Sequence, residues 1–322
     1  MLRKLIASLL LAGIPASGYP DVEMPVSGKK GEGLAQVMRL HCSPLRLPEQ
    51  TDLSFTFFDH FEGRPVTVTA GALPSGYTIS GLVSPEWWKE SDIYGDTIVR
   101  DLANYYPASP DVSRHRASFP PGEVTETRYE TPLWCSGIGP FGTIEAEFYT
   151  PPASLRGRLA RTYFYMALIY PQGLMRPKAY TMFTGQPYPG LTAYATRILL
   201  PWHRDNPPSP EEIEINDRML SLQGNFNPFV SNPEFVEYLW GDKAGEIYEI
   251  KGTPVPLHSA YSLSDTVWLT TPDAPSDALW TIDGRPEKNT SVAASALGRG
   301  THDITFTSAL TGLTGRVMIT VL

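Results

Sequence analysis

The sequence has few cysteines, no excess of basic residues and no long apolar run after its first eighteen residues. Two cysteines far apart cannot form a zinc cluster by themselves. The 26 Lys and Arg face 34 Asp and Glu, a formal net charge of −8. This balance counts against tight nucleic-acid binding, because such affinity comes largely from basic side chains. No segment after residue 18 is long and apolar enough to cross a membrane, so we expect no membrane span.

The N-terminal stretch MLRKLIASLLLAGIPASG, residues 1–18, has the build of a secretory signal peptide. The alternative is a short membrane anchor, but the apolar run from Leu5 to Ile14 is too short to span a bilayer. The sequence therefore predicts cleavage and a secreted, periplasmic or cell-surface protein. Export would make Cys42 and Cys135 a candidate disulfide, with two separate buried thiols as the alternative.

Residues 19–251 predict a domain that mixes helices and strands. With 31 Pro and 27 Gly, a loop-rich α+β fold is favoured over a helical bundle. Apolar spacing and capping residues predict helices at 28–42, 154–170 (Ser N-cap), 191–205, 209–225 and 232–242. Alternation predicts strands at 63–71 and 73–83, and Leu53–Phe61 fits either a helix or a strand.

Residues 252–322 lose the helical pattern. Alternating segments such as HDITFTS and GRVMITVL are separated by turn residues such as Asp283-Gly284. This pattern of alternating segments and turns predicts an all-β sandwich of immunoglobulin type. Such a domain could be a spacer, a secretion-related appendage or an adhesive module that binds another protein or a glycan, and the fold does not choose among these roles.

Three parts of the helical half carry a family signal: DLANYYPAS with RASFPPGEV, LARTYFYMALIY, and QGNFNPF followed by NPEFVEYLWG. Together they resemble the bacterial secreted endonuclease I family over roughly Gly28 to Gly241. The resemblance implies a ββα-metal (His-Me finger) core that cuts DNA or RNA with one divalent metal, Mg²⁺ or Ca²⁺. In that family a His activates water, the metal neutralises charge on the phosphate, and an Arg helps to hold the phosphate.

The chain matches the family's scaffold residues and departs from its chemical ones. The positions of the family's Glu-His pair, its paired histidines and its metal-binding Asn are, in order, Gly81, Leu82, Ala103, Asn104 and Ser113. No His lies between His60 and His115, so sliding the register by one or two residues does not restore the base. The resemblance therefore implies a degenerate metal site. It also places Leu82 at the end of a β-hairpin, facing a helix that begins near Ser109 or Val112.

Arg116 matches the family's Arg, and His115 beside it could be a substitute base. The alternative reading of Arg114-His115-Arg116 is a solvated basic turn. We read His60 as structural and His203 as a packing or capping residue.

Three hypotheses follow. The first is a pseudo-nuclease that binds rather than cuts, the second an active endonuclease with a rearranged site, and the third a surface or periplasmic module that binds protein or glycan. An exposed basic groove would support weak nucleic-acid binding, and its candidate residues are Arg114, Arg116, Arg156, Arg158 and Arg161.

Overall fold

The computed structural model describes residues 26, 28–88, 95–171, 177–248, 260–269, 278–289, 291–308 and 314–322. The predicted signal peptide lies outside this range. By contacts the chain divides into two compact units, one that contains Gly31–Glu246 and one that contains Pro20–Lys30 and Ile247–Leu322. No helix among the described residues is long and apolar enough to cross a bilayer.

The first unit combines helices with small antiparallel sheets, which confirms the mixed α+β class. Its helices are α1 (Gly31–Cys42), α2 (Gly95–Arg100), α3 (Pro110–Arg116), α4 (Arg156–Ile169), α5 (Ala193–Asp205), α6 (Pro210–Gln223), α7 (Pro228–Ser231) and α8 (Phe235–Leu239). Its strands are β1 (Phe55–Asp59), β2 (Arg64–Val68), β3 (Thr78–Ile79), β4 (Pro107–Ala108), β5 (Glu126–Glu130), β6 (Cys135–Phe141) and β7 (Ile144–Thr150). They pair as β1-β2, β3-β4 and β5-β6-β7.

Helix α4 is the centre of this unit, because every residue from Gly157 to Ile169 is buried. A helix buried on all sides needs small residues where neighbours approach. A Cβ at Gly157 would lie 2.4 Å from the Asn206 carbonyl oxygen, so this position has no room for a side chain. The predicted Ser154 N-cap is wrong. The N-cap is Leu155, whose apolar side chain cannot cap the helix. The hydroxyl of Ser154 lies instead 2.9 Å from Nδ1 of His60.

The local residue pattern predicted the start and the end of helix α6 correctly. The Ser209 side chain accepts a hydrogen bond from the Glu212 amide, Pro210 opens the helix, and Gly224 closes it in the left-handed conformation. The ambiguous Leu53–Phe61 segment forms strand β1, in which Phe57 and Asp59 point inward and Phe58 points outward. The predicted strand at 73–83 shrinks to β3, and the helix predicted at 232–242 shrinks to α8.

The second unit is mostly β. Its elements are β8 (Ala260–Tyr261), β9 (Thr266–Trp268), β10 (Ala278–Ile282), β11 (Arg285–Glu287), β12 (Ser291–Ala293), α9 (Ala294–Leu297), β13 (Gly300–Ser308) and β14 (Thr314–Val321). One sheet has the order β11-β10-β13-β14-β8, and a second pairs β12 with β9. Asp283 and Gly284, with φ of 51° and 75°, form the predicted turn between β10 and β11. Residues of both sheets share one apolar core, which includes Val267 and Trp280. The immunoglobulin type stays a prediction.

The two cysteines are not bonded to each other in the structure, which contradicts the candidate disulfide, and the alternative of two buried thiols fits Cys42 but not Cys135. Cys42 is buried at the end of α1, and burial raises the pKa of its thiol. Cys135 is partly exposed at the start of β6.

Candidate functional site

The turn after β3 is where the resemblance placed the catalytic pair. Ile79 and Thr78 of β3 pair with Pro107 and Ala108 of β4. Helix α3 follows β4 at once, because the Ser109 side chain caps the Val112 amide. Gly81 and Leu82 come directly after the hairpin strand, and Leu82 is 1% exposed. Strands β3 and β4 and helix α3 thus surround Gly81 and Leu82, the predicted positions of the catalytic pair.

Arg116, at the last turn of α3, is turned inward onto this segment. Its Nη2 donates to the Ser80 hydroxyl at 2.5 Å and to the Gly81 carbonyl at 2.8 Å. Its Nη1 donates to the Leu82 carbonyl at 3.3 Å. Only 2% of the residue is exposed. A guanidinium used in this way holds the turn and does not present its charge to a phosphate in solvent.

The backbone at Gly81 leaves no room for a side chain. Its φ is +68°, in the left-handed region that L side chains rarely adopt. A Cβ built there would lie 2.7 Å from the Val83 carbonyl oxygen and 2.8 Å from Asn104 Nδ2. Asn104 closes the turn, because its amide accepts from the Val83 N–H at 2.8 Å and donates to the Val83 carbonyl at 2.9 Å. A carboxylate at position 81 would require the turn to open.

The residues at the predicted metal positions do not fit a divalent metal. Gly81, Leu82 and Ala103 carry no side-chain ligand atom. The side-chain oxygen and nitrogen of Asn104 both form hydrogen bonds with the Val83 backbone. The Ser113 hydroxyl lies 3.2 Å from the Thr78 hydroxyl. Across the part of the chain that the structure describes, no group of three His, Cys, Asp or Glu side chains could hold a metal ion.

Asp101 is the same residue as in the family motif, and here it accepts hydrogen bonds that hold the fold together. It is fully buried and accepts hydrogen bonds from the hydroxyls of Tyr165 at 2.8 Å and Tyr170 at 2.6 Å, and from Gln223 at 3.1 Å. Burial raises the pKa of Asp101, and the bonds from Tyr170 and its other donors oppose that rise. These contacts join the start of this segment to α4 and α6.

The Arg114-His115-Arg116 turn has one buried and one exposed arginine. Arg114 is exposed, whereas His115 is partly buried. The His115 ring stacks on Tyr129, with centroids 3.7 Å apart and planes 4° apart. Stacking fixes the imidazole against β5, beside an exposed cation.

The five candidate arginines of a basic groove differ in their exposure. Arg114 is exposed and Arg156 partly exposed, but the other three arginines are buried: Arg116, Arg158 and Arg161. Arg161 makes two 2.6 Å hydrogen bonds to Glu212. These side chains satisfy internal carboxylates, carbonyls and aromatic rings, so their charge is not presented on the surface.

One polar cluster was not visible in the sequence. His60 Nδ1 lies 2.9 Å from the Ser154 hydroxyl, and its Nε2 lies 3.5 Å from a Glu211 carboxylate oxygen. Burial alone would raise the pKa of Glu211, but the hydrogen bond from His60 and the charge of Arg158 lower it below its usual range. The cluster joins the ends of β1, α4 and α6, which confirms a structural contact for His60. His203 also packs, against Phe164, and its Nε2 contacts the Pro233 carbonyl.

Comparison with known proteins finds similarity to nucleases in the part of the chain that contains the Gly81 turn. The model of the endonuclease I family matches residues 77–234. Two relatives, both described as extracellular deoxyribonucleases of Aeromonas hydrophila, are 29% identical over 130 residues and 28% identical over 137 residues. Each alignment covers 40% of this chain and 48% of the relative, so the chain spans about half the length of the curated relatives it matches. Residues 77–234 of this chain are thus similar to the endonuclease I family.

Proposed function

We propose that this chain is a secreted pseudo-nuclease, an endonuclease I family protein that does not cleave nucleic acid by the family's metal-dependent reaction. One observation carries the proposal: the turn at Gly81 has a positive φ, is closed by Val83 and Asn104, and is held by Arg116. The turn is therefore a packed structural element.

The chemistry of phosphodiester hydrolysis explains why this matters. The reaction needs a base that takes a proton from water and a cation that neutralises charge growing on the phosphate. Leu82 cannot take a proton, and Gly81 has no ligand atom for a metal. Arg116 donates to backbone carbonyls instead. The net charge of −8 also lowers the attraction for a polyanion.

Secretion is supported by two independent features. The first eighteen residues have the basic, apolar and small-residue order of a signal peptide. The two relatives are described as extracellular. We therefore place the mature protein outside the cytoplasm.

A second candidate is an active endonuclease with a rearranged site. The observation that favours it is the His115 ring, fixed on Tyr129 in the same helical turn as the exposed Arg114. A fixed imidazole beside a cation has the residue types needed for a base and a phosphate contact.

The test is cleavage of supercoiled plasmid and of RNA by the chain without residues 1–18, with Mg²⁺, Mn²⁺ or Ca²⁺ and with EDTA. A His115→Ala variant and a Gly81→Glu/Leu82→His variant run beside it, and an active family member is the positive control. We expect no cleavage by any of the three forms. Metal-dependent nicking that His115→Ala abolishes would establish the second candidate. Nicking that His115→Ala leaves intact would place catalysis elsewhere and would also refute the pseudo-nuclease.

The Gly81→Glu/Leu82→His variant directly tests whether the closed turn at Gly81 prevents cleavage. Because the backbone at position 81 favours glycine, restoring the family's Glu-His letters should not restore cleavage. If the double variant does gain metal-dependent cleavage, the turn opens readily and the closed geometry does not explain the loss.

A further inference from the structure

A serine, a histidine and a glutamate lie in a row in the first unit and share no residue with the Gly81 turn. Ser154 Oγ lies 2.9 Å from His60 Nδ1, and His60 Nε2 lies 3.5 Å from Glu211 Oε2. His60 follows β1, Ser154 belongs to a short 3-10 helix before α4, and Glu211 is in the first turn of α6. A nucleophilic serine has these same relations: its hydroxyl is within hydrogen-bond reach of a base, and a third group orients the base.

The contacts of Glu211 decide which nitrogen of His60 carries the proton. Glu211 Oε1 accepts from the Phe58 N–H at 3.2 Å and lies 3.6 Å from Arg158 Nη1. Both contacts favour the ionised carboxylate, which can only accept hydrogen bonds. The neutral imidazole therefore carries its proton on Nε2, because an unprotonated Nε2 would direct its lone pair at an anion. Nδ1 is then the unprotonated nitrogen, and it faces the Ser154 hydroxyl.

The base is held in place, and the hydroxyl is open to solvent. The His60 backbone N–H donates to the Tyr106 hydroxyl at 3.0 Å, and its ring packs edge-on against Phe58, with centroids 5.2 Å apart. The His60 side chain is 13% exposed. Ser154 is exposed, and so is the Phe58 ring beside the base. A small molecule can therefore reach Ser154 Oγ from solvent without entering a closed cavity.

We propose that Ser154 is a nucleophile, activated by His60, that takes the acyl group of a small ester. Ser154 Oγ bonds to the ester carbonyl carbon while His60 Nδ1 takes the hydroxyl proton. The bond to the leaving oxygen then breaks, and the imidazolium returns the proton to that oxygen. Water next attacks the acyl-serine and gives a proton to Nδ1. The proton passes to Ser154 Oγ as the carboxylic acid leaves.

This reaction needs no oxidant, reductant or metal ion, because each proton that leaves a hydroxyl returns to an oxygen. Glu211 acts through His60, as a positioning residue that holds the tautomer. The site shares no residue with the Gly81 turn, so its test is independent of the proposed loss of nuclease activity.

The experiment treats the chain without residues 1–18 with p-nitrophenyl acetate. Release of p-nitrophenol is followed by absorbance, and acetylated positions are found by mass spectrometry of peptides. The matched control is Ser221, which is also exposed but donates its hydroxyl to the Arg218 carbonyl. Ser154 should react at least about a hundredfold faster than Ser221, since a positioned base contributes about that factor. Ser154→Ala should remove the fast release of p-nitrophenol, and Ser221→Ala should leave it unchanged.

A His60→Gln variant tests the base separately from the nucleophile. It should slow the reaction of Ser154 about a hundredfold, whereas acetylation of the partly exposed thiol of Cys135 should keep its rate and serve as the internal standard. A reaction of Ser154 that His60→Gln leaves unchanged would overturn the proposal. So would p-nitrophenol release that Ser154→Ala leaves unchanged, with Ser154 acetylated no faster than Ser221. This last comparison uses the parent protein, so it holds even if a variant folds poorly.

Discussion

Replacing Gly81 with alanine measures how firmly the turn after β3 excludes a side chain. Two costs add at this position. A left-handed φ of +68° costs an L residue about 1–2 kcal/mol. The new Cβ would also lie 2.7 Å from the Val83 carbonyl oxygen and 2.8 Å from Asn104 Nδ2, and forcing an extra carbon into packed surroundings costs about 1–3 kcal/mol. We expect Gly81→Ala to lower the free energy of unfolding by roughly 2–5 kcal/mol.

The chain supplies a matched control at Gly142, between β6 and β7. Its φ is +63°, but nothing lies within 4 Å of a Cβ built there. Gly142→Ala should therefore show the backbone cost of about 1–2 kcal/mol alone, and the difference between the two variants isolates the contacts with Val83 and Asn104.

The assay is urea denaturation, with amide hydrogen exchange as a local readout. The Val83 amide donates to Asn104 Oδ1, so its protection should fall in Gly81→Ala and not in Gly142→Ala. Equal losses of stability in the two variants, with Val83 still protected, would refute the reasoning. The turn would then relax at little cost, and position 81 could accept the family's glutamate.

Three further predictions concern buried charges. Arg161→Met should cost about 3–5 kcal/mol in urea denaturation, because it leaves the Glu212 carboxylate buried without its cation. Burial lowers the pKa of His203 to about 4, so the first unit should lose roughly 3 kcal/mol as pH falls from about 6.5 to about 4 in calorimetry. The hydrogen bond to Asp283 raises the pKa of His302, so the second unit should lose stability as pH rises above about 6.5.

Each of these predictions has its own control. Arg161→Met combined with Glu212→Leu should be more stable than Arg161→Met alone, and equal stability would mean that the pair is not coupled. His203→Gln should flatten the acid slope of the first unit, and His302→Gln the alkaline slope of the second. If both units lost stability in the same direction of pH, the two assignments would be wrong.

Local sequence predicted much of the secondary structure because the causes are local. Helix α6 begins and ends at local signals: Ser209 caps the Glu212 amide, Pro210 begins the helix and Gly224 ends it. Asp283-Gly284 forms its turn from its own backbone preferences. The resemblance to the endonuclease I family was also visible in the sequence, because its scaffold residues form three short contiguous segments. The local capping signal failed at Ser154, whose hydroxyl contacts a histidine 94 positions away along the chain instead of capping the next helix.

The sequence by itself determined which side chains this protein has at the predicted catalytic positions, and so which chemistry Leu82 and Gly81 lack. Only the tertiary structure decided what the remaining groups do. Arg116 turns onto backbone carbonyls, and Asn104 closes the Gly81 turn. The physical reason is that side-chain direction and burial depend on neighbours far away in the chain, and no local pattern encodes them.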